Sequence, residues 1–192
     1  MASDRGQTAV PSLGFLTVVP HPQHGLFGGY LLLNASGRPL EFHCTAPLKP
    51  NRAQEILFGP TLESYLYGEQ IGQSLAAKAS QAPLVMLSDV PAMLALRPFV
   101  AQPVVLVLPD AEPARTGEAN GSTFHRVDAA HGQLRGLFTF SFGRNALALD
   151  AAHTDDRATA RERLALVAET FDLAEPFGRI RAAIDEAQRS GR

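Results

Sequence analysis

The chain has 192 residues, 45% hydrophobic and 19% charged, which is enough apolar material to bury a core and excludes global disorder. Seventeen basic against nineteen acidic residues give a net charge of −2, without the basic field of a dedicated nucleic-acid binder. The longest clean aliphatic run is only 104–108, Cys44 is the one cysteine, and residues 1–12 lack a basic-then-apolar signal pattern, so a soluble cytoplasmic chain with a flexible leader is expected.

In chain order, residues 13–19 read as a buried strand and 20–25 as a loop of turn residues that includes His21 and His24. A second strand spans 29–34, a Gly- and Ser-bearing hairpin loop 35–38, and a third strand 39–46. The third alternates, with Leu40, Phe42 and Cys44 expected on the core side and Glu41, His43 and Thr45 on the wet side of an edge strand. A short helix over 52–58 stops at Gly59 and Pro60. A longer one over 61–79 carries an apolar stripe of Leu62, Tyr65, Leu66, Ile71, Leu75 and Ala79.

Next come a buried strand at 83–87, a short helix at 91–99, a buried strand at 103–108 and an exposed loop over 109–121. The segment 122–127 is a strand, 128–132 a turn, and 134–142 a strand in which Phe138, Phe140 and Phe142 alternate with Thr139 and Ser141. A short strand at 146–149 follows. Two helices close the chain, one lined by Ala160, Leu164, Val167 and Phe171, the other begun by Glu175 and Pro176 and lined by Phe177, Ile180 and Ile184. Both stripes are expected to cover the sheet, so that 122–192 packs as a hairpin and helical pair on a core of 13–108, in one compact domain.

The order strand-strand-strand-helix-strand-helix-strand over 13–108 is the informative feature. Gly28, Gly29 and Tyr30 open the second strand, Asn51 to Glu55 head the first helix, and Ser88 and Asp89 end the fourth strand. In these respects the chain resembles the ribonuclease H-like fold. The resemblance implies an α/β (α+β) protein with a mixed sheet in the order βββαβαβ, followed here by a hairpin and two helices. It also implies a Mg²⁺ or Mn²⁺ site with Glu55 and Asp89 as ligands and Asp155 or Asp156, beside His153, as a further acid. Such a site would serve a phosphodiesterase acting on nucleic acid, because paired hard cations activate water and need carboxylate oxygens. The sequence departs from the family at its first-strand Asp: counting back from Gly28 and Gly29 puts Val18 there. The spacing from Asn51 to Glu55 is one residue longer than usual, and Gly59 and Pro60 interrupt a helix that the family keeps whole.

Each acid also has a plain structural reading. Ser88 and Asp89 suit a helix N-cap, while Glu55, Asp155 and Asp156 suit the positive end of a helix dipole. A zinc set of His21, His24, His43 and Cys44 is a further arrangement, opposed by the opposite facing of adjacent strand residues 43 and 44. Cys44 itself reads as core. No phosphate-binding glycine loop, Walker lysine or nucleophile elbow occurs. The leading expectation is therefore a non-catalytic or degenerate ribonuclease H-like module, without a cofactor, that binds a protein or a small molecule. Its contact surface is expected at 20–28 and 109–121. The alternative is the Mg²⁺- or Mn²⁺-dependent phosphodiesterase, and a third reading is a profilin- or roadblock-like dimerisation scaffold.

Overall fold

A strand that is apolar on both sides can be buried only if its sheet is covered on both faces. β1 (Ser12–His21) is such a strand: Leu13 and Phe15 join one core, Leu16 and Val18 the other. The computed structural model, which describes residues 10–109, 124–125, 136–166 and 171–190, places β1 inside an eight-stranded sheet. β2 (Gly25–Asn34) pairs antiparallel with β1 along its whole length, from Ser12 opposite Asn34 to His21 opposite Gly25. β3 (Pro39–Cys44) lies antiparallel outside β2. On the other side β4 (Val85–Ser88) and β5 (Val104–Val107) run parallel to β1 in turn. β8 (Asn145–Asp150), β7 (Leu137–Phe142) and β6 (Phe124–His125) complete the order β3-β2-β1-β4-β5-β8-β7-β6. This is a mixed sheet of the α+β class, in the order that the ribonuclease H-like resemblance implies.

Between β3 and β4 the chain is helical from 52 to 78. α1 (Arg52–Phe58) is followed by a 3₁₀ turn (Gly59–Thr61), α2 (Leu62–Ser64), a π-helical stretch (Tyr65–Gly72) and α3 (Gln73–Lys78). The expected single helix is thus wound more widely in its middle. There Gly68 and Gly72 lie so close to the 3₁₀ helix Pro91–Phe99 that a Cβ would stand 2.7 Å from Ala95 and 2.9 Å from Met93 Sδ. Ile71 and Leu75 bury against Leu16, Val18 and Tyr30 on one face of the sheet. α4 (Asp156–Leu164) and α5 (Glu175–Ser190) cover the other, with Ala160, Leu164, Phe177, Ile180 and Ile184 against Leu13, Phe15 and Leu87.

Two expectations change. Residues 20–28 are mostly β ladder, because the β1–β2 pairing continues to His21 and Gly25 and leaves only three residues in the turn. In β3 the alternation is present but its faces are exchanged: Leu40 is 41% and Phe42 39% exposed, and Cys44 is exposed too. The reason is coverage. α5 packs on β1 and β2 and leaves the apolar side of β3 open. On the opposite side Ser80, just past α3, closes over Glu41. Residues 1–9 of the expected leader over 1–12, 110–121 of the expected loop over 109–121, the turn over 128–132 and stripe residue Val167 lie outside the described residues. Among those described, no helix is long and apolar enough to cross a membrane.

Gly28 and Gly29 owe their identity to this double coverage. A Cβ at Gly28 would stand 2.2 Å from Ile71 Cγ2 on one face, and one at Gly29 would stand 2.2 Å from Ile180 Cγ2 on the other. Both contacts are with branched carbons near the backbone, which cannot swing away as a long side chain can. Gly29→Ala is therefore expected to cost about 1–3 kcal/mol through overpacking, read as a lower urea midpoint at unchanged slope.

Candidate functional site

The parallel register sets Leu16 beside Ser88, so the next residues along, Thr17 midway along β1 and Asp89 just past the carboxyl end of β4, are neighbours. Side chains alternate across a strand, and Thr17 and Asp89 share the side of Phe15 and Leu87, towards α5. Thr17 is fully buried. From α5, Arg181 follows the core residue Ile180 and reaches over this pair. Its Nη2 donates to Asp89 Oδ2 and stands 3.4 Å from Thr17 Oγ1. The other carboxylate oxygen, Asp89 Oδ1, is buried with no hydrogen-bond partner among the described residues.

Two sequence readings are corrected here. Val18 points to the opposite face, among Tyr30, Ile71 and Met86, so Thr17 is the first-strand neighbour of Asp89. Nor does Asp89 cap a helix: the 3₁₀ helix Pro91–Phe99 starts after Val90 without a side-chain cap, and it is Ser88 Oγ that accepts from Val90 N at 3.1 Å.

The remaining acids lie apart from this point, each in its own setting. Glu55 is exposed in the first turn of α1 and pairs with Arg52 at 3.0 Å, while Asn51 and Gln54 form a capping box around it. The helical run that α1 begins packs on the face away from Asp89. Asp156 forks onto Arg97, with Arg97 Nη2 donating to Oδ1 at 3.0 Å and Nε to Oδ2, which ties α4 to the 3₁₀ helix before β5. Asp156 beside it keeps the Arg97 guanidinium protonated above its ordinary range. Asp155 occupies the N-cap position of α4 without a capping bond, and His153 ends the short 3₁₀ turn Ala151–His153.

A two-metal centre needs several carboxylate oxygens converging on one point. Among the described residues, no three His, Cys, Asp or Glu side chains are placed to hold a metal ion. At the end of β4 one carboxylate faces a guanidinium and, from the middle of β1, a hydroxyl. The residues present do not fit such a centre.

The zinc set divides in the same way. His21 Nδ1 accepts from the backbone N–H groups of Gln23 and His24 at 3.1 and 3.2 Å, and the two imidazoles lie 4.5 Å apart. His43 is on the other face of β3, with its Nε2 3.0 Å from Glu41 Oε2 and its ring stacked on Tyr30. Cys44 is exposed and is not a core residue. It lines, with His24, Phe27, Thr45, Ile184 and Gln188, a mainly apolar cleft of about 470 Å³ between the β1–β2 hairpin, the end of β3 and the last turns of α5. Neither this cleft nor the role of Arg181 has a local signature. Arg181 was legible only as a charge beside an apolar stripe, and the cleft joins segments some 140 residues apart.

No protein-family model matches the chain, and no curated protein matches it in sequence. A solved structure, the crystal structure of human ENDOV, is similar to 95% of this chain and 86% of its own, at 14% identity and a TM-score of 0.45. The fold described above rests on strand order and register, and that overlap adds no weight to a function.

Two outcomes follow from the ion pairs. Asp156→Ala leaves a half-buried guanidinium without its carboxylate and is expected to cost roughly 1–3 kcal/mol in urea unfolding. Glu41 accepts from the Ser80 hydroxyl, the Ser80 N–H at 3.0 Å and His43, and the Ser80 hydroxyl first of all holds its carboxyl below the usual 4.5. A carboxyl depressed on folding stabilises fully above its unfolded value, and this contribution is lost as pH falls through the folded one. The melting point of the wild type is thus expected to exceed that of Glu41→Gln above about pH 4.5, with the gap closing as the pH is lowered further.

Proposed function

We infer that the chain is a non-catalytic binding module on a ribonuclease H-like frame. The observation that carries this reading is the pairing of Asp89 with Arg181, beside an uncharged Thr17. Where the resemblance implies carboxylates gathered around divalent cations, a guanidinium neutralises the one carboxylate present. The dispersal of Glu55 and Asp156 onto Arg52 and Arg97 supports the same reading. The natural seat for a ligand is the cleft at His24, Phe27 and Cys44. Its volume of about 470 Å³ falls within the size range of small-molecule sites, and its lining of apolar walls with a few polar atoms suits a largely apolar small molecule or peptide side chain.

A ligand that binds only the native state must raise the melting point. In EDTA, Mg²⁺ and Mn²⁺ the wild type is expected to melt within about 1 °C of one temperature and to leave single- and double-stranded nucleic acid intact. Metal-dependent stabilisation together with cleavage that Asp89→Asn abolishes would instead establish the phosphodiesterase.

A further inference from the structure

We propose that Arg181 is a built-in cation that occupies the coordination point between β1 and β4 and thereby keeps divalent metal out of it. This rests on the binding-module reading and goes further, by naming the one side chain that maintains that state.

A single nitrogen, Arg181 Nη2, is shared by Asp89 Oδ2 and, at 3.4 Å, Thr17 Oγ1. A positive charge therefore already stands at the point that side chains from both central strands can reach. The position is imposed by packing: Ile180, the preceding residue, is fully buried against the sheet, and Ile184 is buried one turn later, so α5 cannot slide without unburying both. The carboxylate needs this partner, since a mostly buried charge without one is costly. A metal ion arriving at the same place would meet the guanidinium charge and only one carboxylate, of which one oxygen is already engaged. Thr17 offers a neutral hydroxyl, which hard divalent cations take less readily than a carboxylate.

Exclusion of metal thus resides in two residues, and both can be reversed. Removal of the guanidinium together with a carboxylate at position 17 would leave two acids facing one vacated point. The buried Asp89 Oδ1, which has no partner among the described residues, would be available as a further oxygen.

The experiment compares full-length wild type, Thr17→Asp, Arg181→Ala and the double variant Thr17→Asp/Arg181→Ala by thermal melting in EDTA, Mg²⁺ and Mn²⁺. The double variant is expected to melt lower than wild type in EDTA and to rise by about 5 °C or more when Mn²⁺ is saturating. Thr17→Asp alone is expected not to respond to Mn²⁺, because Arg181 still sits between the two carboxylates. A double variant that folds by circular dichroism only when Mn²⁺ is present supports the proposal equally. One that ignores Mn²⁺, or stays unfolded with and without it, overturns the proposal while leaving the binding-module reading intact. So does a Thr17→Asp protein that gains as much from Mn²⁺ as the double variant, since Arg181 would then exclude nothing. A Mn²⁺ shift in the wild type itself brings down the binding-module reading and this proposal with it.

Discussion

Two-sided burial of β1, β4 and β5 is the constraint from which the other features follow. Their residues alternate between two cores that share no side chain, with Phe15, Leu87 and Val105 in one and Leu16, Met86 and Leu106 in the other. Burial of this kind, at roughly 25 cal/mol per Å² of apolar surface, rewards only an arrangement with helices on both faces. The helical run 52–78 and the 3₁₀ helix Pro91–Phe99 supply one cover, α4 and α5 the other. Because both covers must approach the same strand, β2 is reduced to bare backbone at Gly28 and Gly29, where Ile71 and Ile180 press from opposite sides.

The same constraint delivers Arg181 to Asp89 and Thr17. A helix seated by Phe177, Ile180 and Ile184 has little freedom along its axis, and the residue after Ile180 is carried to Thr17, midway along β1, and to Asp89, just past the carboxyl end of β4. In open sheets the carboxyl end of a strand such as β4 is where ligands are commonly bound. Here it is closed by an ion pair between the cover and the sheet. Arg97 does comparable work elsewhere, joining α4 to the opposite cover through Asp156. Arginine suits both places because it presents several N–H donors on one planar group: Arg97 forks onto Asp156 and holds the Val100 carbonyl through Nη1, while Arg181 reaches both Asp89 and the Thr17 hydroxyl through Nη2.

Coverage also explains the exposed surface. α5 stops over β2, so β3 presents Leu40 and Phe42 to solvent on one side, while its Glu41 and His43 are drawn into contact with Ser80 and Tyr30 on the other. The cleft beside Cys44 forms where the end of α5 overhangs this partly covered edge.

What the sequence by itself determined is the element order, for a physical reason: period-2 and period-3.6 hydrophobic patterns are local and survive without knowledge of the partner. Residues 13–19, 83–87 and 103–108 could be read as strands, and Phe177, Ile180 and Ile184 as one face of a helix, from their own neighbours alone. Tertiary structure alone decided which side of β3 is covered, because a pattern of alternation shows two faces without saying where a helix ends above them. It also decided that Thr17, not Val18, stands beside Asp89, since counting from a glycine pair cannot supply a parallel register. Above all it decided the state of the carboxylate at the end of β4. Its partner lies 92 residues away on α5, and no local pattern shows which side chain the fold brings to a buried group.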